Sequence, residues 1–119
     1  MQRIFTLSFC VPGTLGANVL FYWKAPFDCT ILHVSAVASN DSDATIKIGD
    51  SADSGNDDYL AAAVIGDSAV PAEFARTDFV GDQYPRIHDG DITYVTVDYD
   101  GASGTAAADL TVVLTLAEG

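Results

Sequence analysis

Positive charge is scarce in this sequence. Its 119 residues hold 5 Lys and Arg against 17 Asp and Glu, a formal net charge of −12 at pH 7. Nucleic-acid binders displace counterions with clustered Lys and Arg, so a direct DNA or RNA partner is not expected. Glutamate and lysine are also rare: Glu73, Glu118, Lys24 and Lys47 are all there are. These two residue types usually fill exposed helix faces, whereas the abundant Asp favours turns, so little helix is expected. No apolar run approaches the roughly 18 residues of a membrane span, and "MQRIFTLSFCVPG" has no Ala-x-Ala cleavage pattern. The expectation is a soluble, unprocessed chain with no membrane partner.

Histidine and cysteine, the residues of most catalytic and zinc chemistry, number two each. Only His33 and His88 could serve a nucleophile as base. His33 sits mid-strand between Leu32 and Val34, His88 sits in a turn before Asp-Gly, and "IGDSAV" lacks the second glycine of a nucleophile elbow. Zinc would find one pair at useful spacing, Cys29 and His33, which strand periodicity puts on the same face. Paired carboxylates abound, but in turns, where solvation alone accounts for them. The sequence has neither a phosphate-cradling glycine loop nor a basic stripe, so no enzyme activity and no cofactor are expected. Cys10 and Cys29 could pair in an oxidising compartment or remain as small buried thiols.

What the sequence does have is strand and turn chemistry. Arg3 to Cys10, "RIFTLSFC", alternates with Phe5, Leu7 and Phe9 on one face. Val19 to Lys24, "VLFYWK", is bulky on both faces, with Val19, Phe21 and Trp23 opposite Leu20 and Tyr22. Cys29 to Ser39 is the longest candidate, with Leu32, Val34, Ala36 and Ala38 read as its core face. Its other face, Ile31, His33, Ser35 and Val37, is too apolar for open water and calls for a covering partner. Thr45 to Ile48 turns Ile46 and Ile48 inward. The alanine-rich segment from Tyr59 to Phe79 reads as two short strands, or one strand and a helical turn near Pro71 to Phe74. Asp91 to Asp98 and Leu110 to Leu116 complete the set, the latter with Leu110, Val112, Leu114 and Leu116 inward, and the two are expected to be antiparallel neighbours. Seven to eight strands with turn signals between them predict a single all-β domain, an antiparallel two-sheet sandwich of the jelly-roll kind.

One segment stands apart: Gly49 to Asp58, "GDSADSGNDD". Its oxygen ligands suit a hard cation such as calcium, with Asp50, Asp53, Asp57 and Asp58 as candidate ligands and Asp41 and Asp43 as possible contributors. The spacing fails as an EF-hand. Ala52 and Ala61 stand where the third and twelfth positions need oxygen, although Gly55 fits the sixth. A solvated turn-rich loop is the simpler expectation.

Residues 87–119, "IHDGDITYVTVDYDGASGTAAADLTVVLTLAEG", resemble the small virion proteins of tailed bacteriophages, and "YLAAAVIGDSAVPAEF" at residues 59–74 does so more weakly. The family is that of capsid decoration, or cement, proteins. The resemblance implies a jelly-roll domain that binds the major capsid protein on the outer face of a phage shell, commonly as a homotrimer, after assembly in bacterial cytoplasm with reduced cysteines. Residues expected at interfaces are Arg3 and Phe5, with docking near a strand edge or the segment Met1 to Phe5, together with Tyr22, Ile31, His33 and Val37. The competing expectation is a carbohydrate-binding or host-recognition module, with rings from Tyr22, Trp23, Tyr59, Tyr84, Tyr94 and Tyr99. Against it, Trp23 belongs to the most apolar strand and is expected to fill core.

Overall fold

The structure, a computed structural model, describes residues 3–51 and 53–119. Nine strands follow in order: β1 (Ile4–Thr14), β2 (Val19–Lys24), β3 (Cys29–Val37), β4 (Thr45–Gly49), β5 (Leu60–Val64), β6 (Ala72–Phe74), β7 (Arg86–Ile87), β8 (Ile92–Asp98) and β9 (Ala108–Glu118). They form two antiparallel sheets. One has the order β1-β9-β3-β6, with β7 also pairing to β3, and the other has the order β2-β8-β4-β5. Apart from the two-residue β7, these eight strands divide between the sheets as in a jelly roll, which accounts for nine strands where seven to eight are predicted.

The core is the shared interior of the two sheets. Leu110, Val112, Leu114 and Leu116 of β9 face Ile46 and Ile48 of β4 and Val95 and Val97 of β8, and none is more than 1% exposed. Alternation produces this: each strand sends every second side chain inward, and on these strands those positions are mostly Leu, Ile and Val, with Thr93 of β8 the buried polar exception.

Two expectations change. First, β8 and β9 are not neighbours. Each lies between two other strands of its own sheet, and residues 99–107 carry the chain across the sandwich from one sheet to the other. A hairpin there would have put two core strands side by side and left neither sheet with its central member. Second, the faces of β3 switch partway. Ile31 pairs with Leu116 and His33 with Thr115, so Leu32 is one extra residue, a β-bulge. Cys29 and Ile31 therefore face the core before the bulge, and Val34 and Ala36 after it, all at 0% exposure, while Leu32 is only half-buried. The bulge also separates Cys29 from His33, which now sit on opposite faces. The segment from Tyr59 to Phe79 follows the first of its two expectations, two short strands, β5 and β6, and helical turns come only after them, as two short 3-10 turns at Arg76–Asp78 and Val80–Asp82.

Both cysteines are free, Cys10 exposed on the outside of β1 and Cys29 buried, where loss of hydration and then the charge of Asp28 push its thiol up from the ordinary value.

Candidate docking surfaces

The residues expected at interfaces do not gather in one place. Arg3 is exposed at the start of β1, and its Nε donates to Glu118 Oε2 at 3.0 Å. Tyr22 is 68% exposed on the outer face of the four-stranded sheet, opposite Tyr94 with ring centroids 6.1 Å apart. His33 and Val37 are half-buried on the outer face of the other sheet, His33 with Nε2 3.6 Å from Glu73 Oε1. Tyr22 and His33 thus look in opposite directions. Ile31 is corrected outright: the bulge at Leu32 turns it into the core at 0% exposure, so it has no surface to offer a partner. Met1 and Gln2, part of the expected docking segment, lie outside the described residues.

The acidic loop links β4 to β5 and is held by its own backbone. Asp50 N donates to Gly55 O at 3.1 Å, Asn56 N to Asp53 O at 3.3 Å, and Tyr59 N to Ile48 O at 2.9 Å. The loop folds back so closely that a Cβ at Gly49 would collide with the Gly55 carbonyl, so only glycine fits at that point. The Asp58 carboxyl is pushed up from the ordinary carboxylate range, first by loss of hydration and then by its hydrogen bond with Asp50 and the charges of Asp50 and Asp57. Among the described residues no three Asp, Glu, His or Cys side chains come together as metal ligands, Asp50, Asp53, Asp57 and Asp58 included. The crowding has a sign that can be measured. A carboxyl whose folded pKa is raised is best tolerated when protonated, so stability falls as pH rises through that pKa. Asp58→Asn should therefore raise the melting temperature at pH 7, with the gain vanishing as pH drops through the carboxylate range. An unchanged or lower melting temperature at pH 7 would show that the loop's charges do not crowd.

Asp109 behaves in the opposite way. Its carboxylate accepts from Gly13 N at 2.7 Å and from the Ser39 hydroxyl at 2.9 Å, and these bonds hold it below the ordinary range. It ties the far end of β1 to the start of β9.

A feature that pattern reading missed is the unequal closure of the sandwich's two sides. On the β5/β6 side, the edge residues Leu60 and Phe74 are 1% and 8% exposed. The chain from Ile65 to Ile87 lies along that side and plugs it with Ile65, Phe79 and Ile87, at 4%, 3% and 0%. On the other side, where the edges are β1 and β2, nothing comparable is present among the described residues. Phe5, Leu7, Phe9 and Val11 of β1, Val19, Phe21 and Trp23 of β2, and the following Phe27 pack against the core, yet all stay partly exposed. Their rings close the gap themselves: Phe9 stacks on Phe21 at 4.8 Å, and Phe5 meets Trp23 at 6.0 Å and Phe27 edge-on at 5.6 Å. Trp23 is thus a boundary residue and not a fully buried one. A signal for this side was available, since residues 4–23 contain no charged residue at all.

A concavity of about 330 Å³ lies elsewhere, between the acidic loop and the 3-10 turns. It is lined by Asp58, Tyr59, Val80, Gln83, Tyr84 and Arg86 with Pro85. Between the lining residues Val80 and Gln83 the chain turns through Gly81 and Asp82, whose φ angles are positive at 75° and 53°.

No protein-family model and no curated protein sequence matches this chain. Solved structures do. A chain of the capsid asymmetric unit of cyanophage Pam1 superposes with a TM-score of 0.59 at 13% identity, over 98% of this chain and 82% of the other. A chain of the acidic stable capsid of Helicobacter pylori bacteriophage KHP30 aligns over 98% of this chain and 91% of the other at 12% identity, with a TM-score of 0.44. At these identities the first likeness is one of fold, and it extends along nearly the whole chain.

Proposed function

We propose that this protein is a structural component of a phage virion that docks on the outer surface of the capsid shell, binds its major capsid protein and stabilises the assembled particle as a decoration protein. The observation that carries the reading is the fold shared along 98% of the chain with a member of a phage capsid asymmetric unit. The charge distribution agrees with it. A net charge of −12 suits the outside of a particle, where like charge keeps particles apart, and is unsuited to an interior packed with DNA. In this reading the acidic loop 49–58 faces solvent, and the protein is present as trimers, each offering several contacts to the shell.

A component that binds only the assembled shell stabilises it by mass action, and linking copies raises the effective concentration at each site. Particles made without this protein should therefore assemble but release DNA at lower temperature and under milder osmotic shock than particles that carry it. Equal resistance of the two would reject the role.

A host-recognition module is the second reading, and the concavity between Tyr59 and Tyr84 is what favours it. Its volume is within the range of small-ligand sites, and it combines two tyrosines with the polar groups of Gln83 and Arg86. In that case the particles would keep their stability and lose adsorption to cells.

A further inference from the structure

We propose that the side of the sandwich formed by β1 and β2 is the contact through which one copy of this chain binds another. The proposal rests on the self-association in the reading above and names the surface responsible.

Three observations converge on this side. The first is the difference in closure. Inward side chains on β3, β4, β8 and β9 are sealed, those at the β5/β6 edge are plugged by the segment from Ile65 to Ile87, and the eight apolar residues of the β1/β2 side remain partly open to water. Beside this half-covered strip Ile4, Leu20 and Tyr22 stand exposed, and apolar surface gathered in this way marks an interaction site. The second is the backbone. Among the described residues β1 pairs only with β9, and β2 only with β8, so each leaves one row of N–H and C=O groups without a strand partner there. The register of β1 runs unbroken over its first eight residues, Ile4 to Val11, before Pro12 and a register shift interrupt it, and an uncharged edge of that length is a template for pairing that natural proteins normally blunt with charge, proline or a bulge, or cover. The third is charge. Residues 4–23 carry none, and the charges nearest the ends of β1 are engaged, Arg3 with Glu118 and Asp109 with Gly13 and Ser39.

These observations select the occupant. Two copies of −12 each repel over most of their surfaces and can meet closely only where neither presents carboxylates. The β1/β2 side meets that condition over the longest uncharged stretch of the sequence, residues 4–23. It is also complementary to itself, since it brings an apolar strip for an apolar strip and an unpaired edge for an unpaired edge. At about 3.4 Å per residue β1 extends roughly 35 Å, and with the two sheets about 10 Å apart the strip itself offers on the order of 350 Å², so the edge backbones and flanking side chains must join it to reach the ~800 Å² per partner of a standard interface.

The test is sedimentation equilibrium of the free protein from about 1 to about 100 µM, in wild type and two double variants. Thr6→Glu with Ser8→Glu adds two negative charges to exposed positions on β1. Ala61→Glu with Ala62→Glu adds the same charge to exposed positions on β5, at the opposite side. All four sites are on the surface, and circular dichroism should show the same fold throughout. The wild type should be larger than a monomer, the β1 variant should associate at least about tenfold more weakly, and the β5 variant should resemble wild type. Hydrogen exchange should slow with rising concentration at amides of residues 4–14 and 19–24. A monomeric wild type, equal weakening by both variants, weakening by neither, or slowed exchange confined to other strands would each overturn the proposal. Because no shell is involved, such a failure would leave the capsid-binding reading standing, and particles of unchanged resistance would leave the copy-to-copy contact standing.

Discussion

Ile31→Ala is expected to lower the free energy of unfolding by about 2–5 kcal/mol, whereas Leu32→Ala, one residue further, should cost roughly 1 kcal/mol or less. The bulge makes the difference. Ile31 is among the largest fully enclosed side chains, and truncating it removes three methyl or methylene groups and leaves a cavity between β3 and the opposite sheet. Leu32 is the residue the register skips, half-buried on the outer surface. For a domain whose total stability is of the order of 5–15 kcal/mol, the first change threatens folding and the second does not. Urea titration of the two variants decides the matter. Equal losses, or a greater loss at Leu32, would mean that β3 runs without the bulge.

Trp23→Ala is expected to cost about 2–4 kcal/mol, somewhat less than truncation of a fully enclosed tryptophan, because the ring is partly exposed. Trp23 holds Phe5, and Phe5 holds Phe27, so the loss should loosen one end of β1 together with the chain leaving β2. Thermal unfolding of the variant measures the cost. A melting temperature close to wild type would mean that these rings do not brace the β1/β2 side.

The strands with clean alternation were legible from residue pattern alone. β2 follows its predicted span of residues 19–24, and the inward sets Ile46 and Ile48 on β4 and Leu110, Val112, Leu114 and Leu116 on β9 hold in the structure. Periodicity failed where the chain breaks its own period. In β3 a single extra residue reverses which side chains are inward, and nothing in "CTILHVSAV" marks Leu32 as the one to be skipped, because Ile31 and Leu32 are equally apolar. Which strand lies beside which is likewise a property of the whole sandwich, and the long connection at residues 99–107 is compatible with a hairpin or a crossing until the other strands are placed. Among the surface candidates, Arg3, Tyr22, His33 and Val37 do reach the outside, and Phe5 lies on the half-open side. Sequence reading did not divide them into separate surfaces, because facing direction depends on sheet assignment. The bare side itself is a statement about what fails to cover it, and a linear pattern of apolar residues reads the same whether or not a loop lies on top.

The place of β9 between β1 and β3 also governs when this molecule can begin to exist. The five-stranded sheet has no middle until Ala108–Glu118 is present, so β1, made first, waits for a partner made almost a hundred residues later. At the usual 5–20 residues per second of synthesis, roughly 5–20 s pass during which "IFTLSFCVPGT" is an uncharged, β-prone segment without its strand. Such pairing between distant segments is intrinsically slow. Removing β9 should therefore yield insoluble protein instead of a smaller soluble one, and the interval before β9 emerges is when a nascent chain most needs a chaperone.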